Sequence, residues 1–409
     1  MVNRRFFLKS SGLAMVAFGL APKSLIRSAY ADAARRKIVV SIFQRGACDG
    51  LNTVIPIADE TYRKVRPSIA VPADKALDLG DGQFAFHPAL EPLMPMWKDK
   101  SLAVVHAIGS PDPTRSHFDA QDFMDSGTPG LKSTEDGWLN RHLQACPDEK
   151  ATPFRAVSLT PTLPRSMAGK APAVAMTNLR EFGIRPAAGA AVARSFEDMY
   201  DGAVRDVLHG TGKETFEAID FLKKTDPSRY EPAAGVQYPR GRYGDGLKQI
   251  AQLIKADVGV EVAYTETSGW DTHAAEGGAE GQIANRLREL AQALAAFQRD
   301  LGDLMSDVVV VTMTEFGRTV RENGNRGTDH GHASVSFVMG GPVNGGKVHG
   351  QWPGLRDGDL YEGRDLAVTT DFRNLLAEVL TNHSGARDLK RVFPGFEVRS
   401  KNFPGVIRA

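Results

Sequence analysis

Cysteine is nearly absent from this 409-residue chain, with Cys48 and Cys146 the only two. At most one bridge can form between them, which excludes a disulfide-stapled framework. An excess of one charge is missing too: 50 Lys and Arg face 49 Asp and Glu, for a formal net charge of +1. No electrostatic case therefore arises for nucleic acid as a partner. There is no fixed-period repeat and no low-complexity tract. Apolar runs all fall short of the roughly 20 residues that span a bilayer, which argues against a stable membrane anchor. Neither a G-x-G-x-x-G following a strand nor a C-x-x-C-H occurs, so no motif supports a dinucleotide or haem protein.

What is present begins at the N-terminus. Asn3-Arg4-Arg5-Phe6-Phe7-Leu8-Lys9 precedes an apolar stretch from Gly12 to Ala21, and small residues follow at Ala29-Tyr30-Ala31 and Ala31-Asp32-Ala33. A basic start, a short apolar segment and an A-x-A-like cleavage site make a signal peptide. The arginine pair points to the twin-arginine export machinery. Residues 1–33 are thus expected to be a leader, and 34–409 a single exported domain, periplasmic or secreted.

Along that domain short β-branched runs alternate with helical patterns, which predicts an α/β fold with a mostly parallel sheet sandwiched by helices. The strands expected are Lys37–Phe43, Leu102–Ala107, Phe154–Leu159, Val260–Thr265, Val308–Met313 and Ser334–Met339. Ile283, Leu287, Leu290, Leu294, Phe297, Leu301 and Leu304 recur at steps of four and three, predicting a helix over Gln282–Met305. A second helix is expected over Thr370–Leu380. The stretch 161–242, rich in Pro, Ala and Gly at both ends and with helical patterns near Ala191–Leu208 and Glu214–Lys224, reads as an inserted cap.

Acids and histidines cluster where these strands end, and in open α/β sheets ligands bind outside the carboxyl ends of strands. Asp49 follows the first strand in a glycine-bracketed turn. Asp271 and His273 follow Val260–Thr265, spaced so that both can face one cation. Glu315 and Arg318 follow Val308–Met313. Asp329, His330 and His332 crowd a glycine-rich segment where three ionisable groups are costly to bury unpaired. Asp49, Asp271, His273, Glu315, His330 and His332 are the candidate metal ligands. Ser116 opens a helix after Leu102–Ala107, where it is either a nucleophile favoured by the helix dipole or a simple cap paired with Asp119. Arg115 and Arg318 are candidates for holding an anionic group, and His117, Trp270 and Asp329 for contacting substrate. Cys48, beside Asp49, is either a reactive thiolate or a small buried thiol, the commoner environment for free cysteine.

In chain order, Arg45-Gly46-Ala47-Cys48-Asp49-Gly50-Leu51-Asn52, Ser116-His117-Phe118, Gly269-Trp270-Asp271-Thr272-His273, Thr314-Glu315-Phe316-Gly317-Arg318 and Thr328-Asp329-His330-Gly331-His332 form a set. With the twin-arginine leader, this set resembles the exported bacterial family known as domain of unknown function 1501, over nearly the whole chain. The resemblance implies kinship with the alkaline phosphatase and sulfatase superfamily, whose members use metal ions and a Ser, Thr or formylglycine nucleophile on a parallel-sheet core. It implies in turn a divalent metal, zinc or calcium, and an ester substrate that is a small molecule or a glycan. One departure stands out. Where that superfamily shows Asp-His-Gly, this chain has Glu315-Phe316-Gly317, and a phenylalanine cannot bind metal. No Cys-x-Pro-x-Arg signature is present, which argues against a formylglycine sulfatase.

Two functions follow from these readings. One is an exported metal-dependent hydrolase of phosphate or sulfate esters. The other is a non-catalytic periplasmic scaffold or carbohydrate-binding protein that keeps the fold.

Overall fold

The computed structural model describes residues 36–132, 134–148, 151–179 and 230–408. The strands, in chain order, are β1 (Ile38–Arg45), β2 (Val54–Ile55), β3 (Leu77–Asp78), β4 (Ala85–Phe86), β5 (Leu102–Gly109) and β6 (Ala156–Ser158). They continue with β7 (Val174–Ala175), β8 (Val262–Ser268), β9 (Val308–Met313), β10 (Ser334–Gly340), β11 (Val348–His349) and β12 (Thr370–Asp371). Strands β2, β3 and β4 form a small separate sheet, and the rest form one large sheet in the order β11-β5-β10-β9-β1-β8-β6-β7, with β12 also on β5.

All six expected strands occur in the large sheet, each shifted at its ends by no more than three residues. β5, β9 and β10 are buried along their whole length, as near-continuous apolar runs are when both faces of a sheet are covered. Alternate residues of β1 serve the two faces. Val40 and Ile42 join a core built with the helices Arg242–Lys255 and Gln282–Leu301, while Val39 and Phe43 join one with Trp138–Ala145 and Phe372–Asn382.

β10 is the exception in an otherwise parallel sheet, running antiparallel to β5 and β9. The stretch between β9 and β10 contains no helix, and a chain that returns without a helical crossover pairs antiparallel. The consequence for the site is direct. The start of β10 lies at the same edge as the ends of β1, β5, β8 and β9, so His330 and His332, which precede β10, arrive among the loops that follow the other strands.

The helix expected over Gln282–Met305 stops at Leu301, where Gly302 turns to φ 51° and a 3-10 turn takes over to Asp307. The one expected over Thr370–Leu380 starts at Phe372, because Thr370 and Asp371 pair with β5 and Asp371 then caps the helix through the Arg373 N–H at 2.9 Å. Within the expected cap, Val174–Ala175 adds a strand to the sheet beside β6. Both helical patterns assigned to the cap, and the leader 1–33, lie outside the described residues. No helix among the described residues is long and apolar enough to cross a membrane. Cys48 and Cys146 are free thiols, and burial pushes the Cys48 thiol up to about 12, which makes it an inert packing group.

Candidate metal centre

Three of the loops at this edge meet because their backbones pass unusually close. Gly46, at φ +117°, sits where a Cβ would lie 2.7 Å from the Asp271 amide nitrogen. At Gly327 a Cβ would lie 2.5 Å from the carbonyl carbon of His273. Only glycine allows either approach. Together they press the β1, β8 and β9–β10 loops into one cluster.

Asp271 stands at its centre. Its Oδ1 is 3.0 Å from His273 Nε2, 3.3 Å from His330 Nε2 and 2.8 Å from Arg318 Nη1, and its Oδ2 is 3.5 Å from His117 Nε2. The ligand-type atoms of His117, Asp271 and His330 lie within 4.8 Å of one another. Each of the three imidazoles is anchored through its other nitrogen. His117 Nδ1 lies 2.8 Å from Glu315 Oε1, His273 Nδ1 3.0 Å from Asp329 Oδ1, and His330 Nδ1 2.8 Å from the Arg115 carbonyl. A carboxylate or carbonyl oxygen only accepts, so every Nδ1 carries the proton and every neutral ring turns an Nε2 lone pair toward Asp271.

That arrangement concentrates acceptors. His273 Nε2 and His330 Nε2 are 3.0 Å apart, and His117 Nε2 is buried without a hydrogen-bond partner. Three lone pairs and a carboxylate facing one another repel unless a proton or a cation lies between them. Imidazoles whose N–H groups are fixed by carboxylates and a carbonyl have the posture of metal ligands held by outer partners. The donor set fits a divalent cation.

The surroundings tune the same groups. For Glu315, burial opposes ionisation, but hydrogen bonds from His117, Gln121 and the Gly46 N–H prevail and hold its carboxyl below the usual range. Its bond to His117 raises the pKa of that imidazole. Burial lowers the pKa of His330. Burial also works against the Asp271 carboxylate, yet the hydrogen bond and charge of Arg318 outweigh it and keep Asp271 ionised below the usual range. Arg318 is itself fixed, donating to Thr328 Oγ1 at 3.1 Å and to the Thr328 carbonyl at 2.6 Å. Phe316 forms an apolar wall, its ring centred 5.0 Å from His117 and 4.9 Å from His330.

The other sequence candidates fall into place around this cluster. Glu315 is buried behind His117, and Asp329 lies behind His273. Asp49 is fully buried and bound by both terminal nitrogens of Arg66 at 2.5 and 3.1 Å. Its carboxyl is desolvated, but Arg66 holds it below the usual range, whereas burial and the Asp49 charge push neighbouring Glu276 well above it. His332 turns away to the Ser110 carbonyl at 3.0 Å. Arg115 is engaged by Glu362 and Asp365, and Trp270 is buried in the core. Ser116 caps the helix His117–Ser126, its Oγ 3.5 Å from the Asp119 N–H. Sequence reasoning missed the placement of His117 beside Asp271, and it missed Arg66 and Glu276 altogether. For His117 there was a signal, since it opens the first helix after a buried strand.

A comparison with curated proteins gives no match. Among solved structures, the C-terminal periplasmic domain of EcEptC from Escherichia coli, in complex with Zn, is 9% identical over 76% of this chain and 74% of that one, at TM-score 0.35. PsFucS1 sulfatase from Pseudoalteromonas sp. is 12% identical over 94% and 76%, at TM-score 0.41. A protein in the alkaline phosphatase superfamily from Vibrio parahaemolyticus is 11% identical over 75% and 60%, at TM-score 0.32. The family model described as "Protein of unknown function (DUF1501)" matches residues 91–393. That stretch is well over half of the chain and includes the three imidazoles and Asp271, so the protein belongs to the DUF1501 family.

Proposed function

We propose that this protein is an exported hydrolase of phosphate or sulfate esters that works with a divalent cation held by His117, His273, His330 and Asp271. The observation that carries the reading is the convergence of three Nε2 lone pairs on one carboxylate, each ring anchored at Nδ1. A nitrogen-rich donor set suits zinc or a similar transition ion and disfavours calcium, which takes oxygen ligands. Bound there, such an ion would polarise an ester oxygen and lower the pKa of an attacking water.

The chain's own residues set the stage for that chemistry. Arg318 fixes Asp271 and keeps it ionised. Glu315 and Asp329 orient His117 and His273, and Phe316 excludes water from one side of the rings. A cavity of about 230 Å³ has Asp329 in its wall together with Arg321, Asn323 and Arg364. The same wall also carries Glu322 and Asp357, so its acids outnumber its two guanidinium groups. Ser116 enters this reading as a helix cap, and its role as a nucleophile is a separate proposal with its own test below.

Hydrolysis of 4-nitrophenyl phosphate and 4-nitrophenyl sulfate by the purified protein, with and without chelator, tests the reading. Turnover of one of them that chelation abolishes and zinc restores is the expected result. Full cation binding with no turnover of any phosphate or sulfate ester would favour the scaffold reading instead. Export is part of the proposal and rests on Arg4-Arg5 and the apolar stretch after them. Changing both arginines to lysine should keep the protein in the cytoplasm, and undiminished export would refute the twin-arginine route.

A further inference from the structure

Behind Arg318 lies a fully buried group of polar side chains: Asp49, Asn52, Arg66 and Glu276. The N–H groups of Arg66 are all engaged, two of them by Asp49 and the others by Asn52 Oδ1 and the Val320 and Thr319 carbonyls. None is left for Glu276, which hydrogen-bonds Asp49 instead. Two carboxyls can share a hydrogen bond only when a proton lies between them. Burial first, and then the Asp49 charge, push Glu276 well above the usual carboxylate range, so Glu276 carries that proton. The group is neutral overall, with Asp49 set against Arg66 and Glu276 uncharged.

A carboxyl in the core is costly unless its hydrogen bonds are made, and those of Glu276 lead to the cation site. Its Oε2 accepts from Thr328 Oγ1 at 2.7 Å. Thr328 Oγ1 accepts in turn from Arg318 Nε at 3.1 Å, and Arg318 Nη1 donates to Asp271 Oδ1 at 2.8 Å. A guanidinium only donates, so Thr328 must offer Arg318 a lone pair, and its hydroxyl has a single hydrogen to place elsewhere. Glu276 takes that hydrogen. The backbone holds this chain of contacts from both sides. The Ala275 and Glu276 N–H groups donate to the Asn325 and Arg326 carbonyls at 3.0 and 2.9 Å, and the Thr328 N–H donates to the Thr272 carbonyl at 3.1 Å. The segment after His273 is thereby tied to the one before His330.

We infer that Glu276 is a positioning residue for the cation site, acting through the Thr328 hydroxyl and Arg318 to hold Asp271 in place. Asp49 and Arg66 cancel, so the influence runs through hydrogen bonds and not through a field of charge. The inference rests on the cation reading of His117, His273, His330 and Asp271.

Competition titration of zinc against a chromophoric chelator tests it on the purified protein, with circular dichroism as the folding control. The variants are Glu276→Gln, Glu276→Met, Thr328→Val and the double variant Glu276→Met, Thr328→Val. Glutamine keeps a donor for Asp49 and an acceptor for Thr328, so Glu276→Gln should bind zinc nearly as the wild type does. Glu276→Met and Thr328→Val should each weaken zinc binding roughly tenfold or more, the scale of a lost outer partner. The double variant removes both members of one hydrogen bond, which spares the fold an orphaned group between them. Its zinc affinity should fall no further than that of either single variant, because the two residues act in one chain, whereas independent structural effects would multiply. Unchanged affinity in folded Glu276→Met, equal losses in Glu276→Gln and Glu276→Met, or multiplying losses would overturn the inference. Should a single variant fail to fold, wild-type zinc affinity in the folded double variant would overturn it as well. A wild-type chain that takes up no zinc would defeat the cation reading itself, and the inference with it.

Discussion

Replacing Glu315 by glutamine asks how far the proposed cation site depends on a residue that never faces it. Glu315 is buried, and its Oε1 accepts from the Gly46 N–H, His117 Nδ1 and Gln121 Nε2, each at 2.8 Å. Glutamine keeps an acceptor oxygen at that point and removes the charge. Its new amide hydrogens fall beside Thr314 Oγ1, 3.1 Å from Oε2, which accepts from the Cys48 N–H and retains a lone pair. The variant should therefore fold. Hydrogen bonds to charged groups contribute about 1.5–3 kcal/mol and neutral ones about 0.5–1.5 kcal/mol, so the anchor of His117 weakens by about 1 kcal/mol or a little more. The Nε2 lone pair also loses basicity when its carboxylate partner is neutralised. Loss of such outer partners typically weakens metal affinity by about 10–100-fold. Competition titration of zinc against a chromophoric chelator, with circular dichroism as the folding control, measures this directly. An unchanged zinc affinity in a folded Glu315→Gln protein would refute the role assigned to Glu315 and His117.

Other consequences of the structure are open to measurement. Burial first of all drives His106, His142 and His383 down to about 4 from an ordinary 6.5. Their folded-state pKa values are depressed, so the stability gained by keeping them neutral is full above 6.5 and is lost as pH falls toward 4. The loss is on the order of 3 kcal/mol for each histidine. Urea midpoints should fall steeply over that interval, and a flat profile would contradict the burial of these rings. Ser116→Ala should cost about 1 kcal/mol of stability and Ser116→Asp much less, as expected for an N-cap. If Ser116 is the nucleophile, both variants lose turnover while keeping their cation; hydrolysis that survives in Ser116→Ala shows that it is not.

Much of this architecture was legible in the chain because the signals are local. β-branched runs such as Val308–Met313 mark buried strands, and a stripe from Ile283 to Leu304 marks a helix lying on them. Asp271, His273 and His330 were candidates in the sequence for a similar reason, each lying near glycine in the connection beside such a run, and the structure brings them together. What stayed hidden depends on tertiary contacts. Asp49 looks like a ligand in sequence, but Arg66 reaches it from the end of the helix Glu60–Val65. Whether a carboxylate faces a cation or stands behind a histidine depends on burial, and the spacing of Glu315 and Asp329 carries no trace of that. His330 and His332, one residue apart, point to different carbonyls, a divergence that a bare His-x-His motif does not show. His117 was overshadowed by the hydroxyl before it, since a serine at a helix start invites both a capping and a catalytic reading.

Three imidazoles and Asp271 are proposed to hold a divalent transition ion. Elemental analysis of the purified protein, beside Asp271→Asn and His330→Ala, tests it most directly. About one zinc or similar ion per wild-type chain is expected, as one closed donor set requires, and little or none in either variant. A wild-type protein that stays metal-free when supplied with zinc, or variants that keep a full complement, would contradict it.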